Sequence, residues 1–127
     1  MNNESTKYKF AEITNKIIQG FYQVYNQIGI GFEKEIYVNS LFLALTNLEL
    51  KSNKNKRLEI AFNGEKVGQI NVDLVIENKV LVQVFNERIL DSFSEQKTYN
   101  QLKASKLKVA LILNFGVNPE FKRKEIF

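Results

Sequence analysis

GQINVDLVIENKVLVQV, Gly68 to Val84, is the stretch that decides the fold. In the strand from about Lys66 to Ile76, the residues Ile70, Val72, Leu74 and Ile76 alternate with Gln69, Asn71, Asp73 and Val75, which is the two-residue period of a β-strand. Glu77-Asn78 turns the chain, and Val80, Val82 and Val84 then alternate with Leu81, Gln83 and Phe85 in a further strand. Asp73 is the exception in this pattern. An unpaired carboxylate between Val72 and Leu74 on a central strand is costly, so it calls for a cation beside it.

Upstream, Leu58, Ile60 and Phe62 alternate and run into Asn63-Gly64, a strong hairpin signal, after a polar stretch from Lys51 to Lys56. Further back, Phe10, Ile13, Ile17, Phe21, Val24, Tyr25 and Ile28 recur at helical spacing, and Gly29 and Gly31 stop that helix. Ile36, Tyr37, Leu41, Ala44, Leu45 and Leu48 mark a second helix from about Glu33 to Leu48. Downstream, Ser92 or Ser94 is expected to cap a helix reaching about Ser105, anchored by Phe93, Tyr99 and Leu102. KVALILNF, Lys108 to Phe115, reads as a strand covered on both faces, and Ile126-Phe127 as a short edge strand. The prediction is an α+β domain spanning 1–127, with a mixed sheet of four to five strands, two N-terminal helices and one helix between strands three and four.

Composition narrows the chemistry. With no cysteine and no histidine, the chain lacks thiolate metal sites, imidazole bases and Ser-His or Cys-His pairs. The first ten residues, MNNESTKYKF, contain no apolar signal core, and no run is long enough to span a bilayer, so a cytoplasmic protein without a membrane partner is expected. A net charge of +4, from 18 basic and 14 acidic residues, is compatible with holding a polyanion but does not demand it.

The block ITNKIIQGFYQVYNQIGIGFEKEIYVNSL, Ile13 to Leu41, resembles the opening of the GxxExxY family of the PD-(D/E)XK nuclease superfamily, in which a Gly-x-Gly turn precedes a helix carrying a Glu and a Tyr. GQINVDLVIENKVLVQV resembles the family's hairpin, LKASKLKVALILNFG (Leu102 to Gly116) its closing helix and strand, and FKRKEIF its ending. The resemblance implies a PD-(D/E)XK nuclease-like core. It also implies a site in which carboxylates hold Mg²⁺ beside a phosphate and a lysine orients the attacking water. Anchored by Gly31 and Tyr37, the family's helical Glu falls on Lys34, its strand Glu on Gln83 and its Lys on Phe85. Asp73 alone is kept.

The resemblance therefore implies a degenerate member, with Asp73 paired to Lys34 or Lys97 where a metal site once stood and no cofactor expected. The alternative is an active Mg²⁺-dependent nuclease using Asp73 as metal ligand with Gln83 and a relocated Lys97, aided by Glu33 or Glu35. Glu87 lies after the third strand, with no visible turn to aim it at Asp73. Tyr37 faces either the site or the core. Lys51, Lys54, Lys56 and Arg57, and separately Lys122, Arg123 and Lys124, are candidate contacts for DNA or RNA. A protein partner or a homodimer is the competing expectation, to be signalled by an exposed apolar patch including Phe85.

Overall fold

The computed structural model describes residues 9–126. Helix α1, Ala11–Ile28, buries Ile17, Phe21 and Val24 along one stripe. It ends at Gly29, whose φ of 72° lies in the left-handed region where glycine avoids a Cβ clash. After the Gly-x-Gly turn, α2, Lys34–Asn47, buries Tyr37, Val38, Leu41 and Leu45. Five strands follow: β1 Ser52–Phe62, β2 Glu65–Ile76, β3 Val80–Phe85, β4 Val109–Phe115 and β5 Pro119–Glu125, with α3, Ser92–Ser105, between β3 and β4.

The sheet runs in sequence order, β1 to β5. The β1–β2, β2–β3 and β4–β5 pairs are antiparallel, whereas β3 and β4 are parallel. A parallel pair needs a crossover, and α3 supplies it. The β1–β2 turn places both its residues, Asn63 and Gly64, at positive φ, and the three-residue β2–β3 turn does so at Glu77 and Asn78. That is the turn geometry that matches strand twist. Helices α1 and α2 cover one face, where Leu74, Ile76, Val82, Val84, Leu111 and Phe115 meet Phe21, Tyr37 and Leu41. The α3 face is smaller and holds Val75, Leu81, Ala110 and Leu102.

Strand β2 does not keep one apolar face along its length, contrary to the simple alternation. Leu74 and Ile76 pack beneath α1 and α2, but Val72 and Ile70 belong to the α3 side. The phase changes at Asp73. Opposite it on β1 the pairing skips Asn55, which adopts a left-handed φ of 54°. Beyond this break the apolar residues of the outer hairpin, Leu58 and Ile70, lie on the α3 side.

Other expectations are corrected at their edges. The polar stretch expected to precede β1 is itself strand from Ser52, because β2 offers a ladder of main-chain groups whatever the side chains are. The last strand is Pro119–Glu125, containing Lys122, Arg123 and Lys124, rather than Ile126-Phe127; Phe127 lies outside the described residues. Helix α3 is capped by Asp91, whose carboxylate accepts the Ser94 N–H at 2.8 Å, not by either serine. Phe93 is 74% exposed and anchors nothing, since it falls on the outer side of that first turn.

Candidate functional site

The turn before α2 fixes the first catalytic-position residue. Tyr37 is fully buried; its hydroxyl donates to Gly29 O at 2.7 Å and accepts from Phe32 N–H at 3.3 Å. Its ring stacks on Phe115 with centroids 4.1 Å apart. Tyr37 is thus core and turn clamp rather than site. With the turn held this way, α2 begins at Lys34, and the Lys34 ammonium lies 3.0 Å from Asp73 Oδ2.

Asp73 stands where two strands separate. Main-chain pairing of β2 with β3 runs from Ile76↔Val80 to Leu74↔Val82 and stops there. At the next position side chains take over: Gln83 Oε1 accepts the Asp73 N–H at 2.9 Å, and Asp73 Oδ2 accepts the Val84 N–H at 2.8 Å. Gln83 Nε2 in turn donates to Gln101 Oε1 on α3 at 2.8 Å. Both Asp73 and Gln83 are buried, so these bonds satisfy groups that water does not reach. Phe85 is partly buried, its ring centroid 5.9 Å from Lys34 Nζ.

Above this junction lies a cleft of about 510 Å³ between α2 and the hairpin, lined by Lys34, Glu35, Val38, Asn39, Lys54, Asn55, Asn71 and Asp73. Lys54 donates to Asn39 Oδ1 at 3.0 Å and lies over the Phe42 ring. A second hollow shares Asn55 and Asn71 and continues along the hairpin to Arg57 and Gln69. Within the cleft, Lys34 and Lys54 formally balance Glu35 and Asp73. The adjoining edge strand tips the balance: from Lys51 to Arg57 it carries exposed Lys51, Lys54, Lys56 and Arg57 with no carboxylate among them.

The structure brings together Asp73, Gln83, Lys34 and Phe85. It does not bring Lys97 to Asp73's carboxylate, whose contacts are the Lys34 ammonium and the Val84 N–H. Lys97 is exposed and lines a shallow apolar groove with Ile60, Ile70 and Phe93. The α3 residue that reaches the junction is Gln101, one turn later on the same helix face, which the sequence reading missed. Glu33 is the exposed N-cap of α2, and Glu87 is spent on α3, accepting from Asp91 N–H and Ser94 Oγ–H. Lys122 and Arg123 sit on β5, four strand spacings from β1, roughly 19 Å away. Arg123 donates to Lys9 O and contacts Glu125, and Lys124 pairs with Glu95, so this cluster stabilises the far edge instead of joining the cleft.

The residues present do not fit the Mg²⁺ that the resemblance implies. Magnesium wants several hard oxygens. Here Asp73 Oδ2 is taken by an ammonium and an N–H, and Gln83 Oε1 faces an N–H donor. Among the described residues no group of three or more Asp, Glu, His or Cys is arranged to hold a metal ion.

A family model for the PD-(D/E)XK nuclease superfamily matches residues 11–125. A solved structure titled "Crystal structure of SSO0001" is similar to this chain with a TM-score of 0.54 at 11% identity, covering 95% of this chain and 58% of that one. This chain therefore spans little more than half the length of that protein. A search of curated proteins gave no match.

Proposed function

This chain belongs to the PD-(D/E)XK nuclease superfamily, and on that premise we propose that it is a degenerate GxxExxY-type domain that binds nucleic acid without cleaving it. The observation that carries the reading is the cationic edge strand beside the cleft, with Lys54 and Arg57 flanking the amides of Asn39, Asn55 and Asn71. Cations along one edge track a phosphate backbone, and the amides suit phosphate and sugar oxygens. The loss of cleavage follows from the Lys34–Asp73 pair, which leaves one carboxylate, already engaged, where hydrolysis requires a metal cluster.

Lysines on an exposed edge strand also discourage pairing with another sheet, so charge there has a second use. Fluorescence anisotropy with short DNA and RNA oligonucleotides, single- and double-stranded, separates the two. The proposal expects salt-sensitive binding that weakens in Lys54→Glu and Arg57→Glu and is retained in Lys122→Glu. No association at low salt with any of the four probes would sink it. Cleavage of the same probes with Mg²⁺ or Mn²⁺, abolished by Asp73→Ala, would instead establish an active nuclease that depends on Asp73.

A further inference from the structure

We infer that Lys34 is a resident cation: its ammonium takes the place of a divalent metal between Asp73 and a phosphodiester oxygen, so the cleft holds its ligand without metal. This rests on the nucleic-acid reading above and adds how the phosphate is gripped. An ammonium has three donors. One faces Asp73 Oδ2 at 3.0 Å, and because the Lys34 side chain is 49% exposed, its remaining donors face the open cleft. Asp73 Oδ2 is already engaged, since it also accepts the Val84 N–H.

The polarity of the neighbouring groups points the same way. Gln83 is fixed in orientation from both ends, its Oε1 on the Asp73 N–H and its Nε2 on Gln101, so its carbonyl is aimed at the backbone. Lys54 donates to Asn39, and Arg57 lies along the adjoining hollow. Glu35 is the opposing charge at the rim. The cleft thus places two ammoniums, Lys34 and Lys54, beside the amides of Asn39, Asn55 and Asn71. Its complement is an anionic, acceptor-rich group, and the phosphodiester backbone is the one that the edge strand also favours.

The consequence is a sign that a metal site would reverse. Asp73 here competes with the ligand for the Lys34 ammonium, so Asp73→Asn, which keeps an oxygen for the Val84 N–H, should tighten binding. In a metal site the same change would weaken it.

The test is anisotropy titration of a labelled DNA oligonucleotide, and of RNA of the same sequence, in EDTA and then in Mg²⁺, over a range of salt. Expected results are undiminished affinity in EDTA and weaker binding in Mg²⁺ through screening. Lys34→Gln should lose about three- to tenfold with a salt slope smaller by about one, and Lys34→Arg should retain binding. Far-UV circular dichroism of each variant establishes that it is folded, and Asp73→Asn gives an independent readout of opposite direction. Wild-type binding that requires Mg²⁺, or weakened binding by Asp73→Asn, would overturn the inference and leave the nucleic-acid reading standing. Unchanged affinity and slope in folded Lys34→Gln would do the same. Absence of binding by the wild type under all conditions would overturn both.

Discussion

The Lys34 ammonium sits 3.0 Å from Asp73 Oδ2, with the lysine side chain 49% exposed and the aspartate 6%. The pair is asymmetric, one partner reached by water and the other nearly sealed. Removing the lysine therefore harms more than removing an exposed ion pair would, because it strands a buried carboxylate. Lys34→Ala is expected to cost about 1–2 kcal/mol, less than a fully buried pair because water can enter at the vacated side. Asp73→Ala should cost about 2–3 kcal/mol, since it also orphans the Val84 N–H. Urea unfolding of both single variants and the double variant should give a double-variant loss smaller than the sum; strict additivity would mean that the pair contributes nothing.

Tyr37 closes the turn that places Lys34. Tyr37→Phe keeps the stacking on Phe115 but removes the hydroxyl that joins Gly29 O to Phe32 N–H. The expected loss is about 1 kcal/mol, with faster amide exchange at Phe32, read by hydrogen exchange. Unaltered exchange there would show that the turn holds without the clamp.

Gly116 follows β4 where the chain passes the loop after β3. A Cβ there would collide with Glu87 O and lie 2.6 Å from Arg88 O, both backbone atoms that cannot turn aside. The same loop is held by Asn114, which donates to Glu87 O and accepts the Glu87 N–H. Gly116→Ala should cost about 1–3 kcal/mol by overpacking. Thermal melting should show a drop in Tm of several degrees, and a Tm equal to wild type would refute the close contact.

Placing carboxylates at the junction should create a metal site. Lys34→Glu with Gln83→Glu would set two further acids beside Asp73, one replacing the ammonium at its Oδ2 and one replacing the amide that accepts its N–H. Millimolar Mg²⁺ or Mn²⁺ should raise the melting temperature of this double variant and leave the wild type unchanged, as expected when a ligand binds only the folded state. No metal-dependent shift in the double variant would mean that the three positions do not converge closely enough to share an ion.

Periodicity alone determined most of the architecture. The helical stripe of Ile17, Phe21 and Val24, the alternation from Ile70 to Phe85 and the Asn63-Gly64 and Glu77-Asn78 turns are local signals, fixed by which side chains neighbouring residues can bury together. The alternation also singled out Asp73, and the family resemblance, anchored by Gly31 and Tyr37, pointed to Lys34. What local signals could not carry were the relations set by distant parts of the chain. Polar Ser52 to Lys56 became strand because β2 offered it a ladder, and the α3 partner proved to be Gln101 rather than Lys97 because helix rotation against the sheet is settled by packing. Likewise the two basic clusters, similar as strings, ended at opposite edges of one sheet. Sequence determined that a buried acid would need a cation; only the fold decided that an ammonium from the first turn of α2 would be the one to reach it.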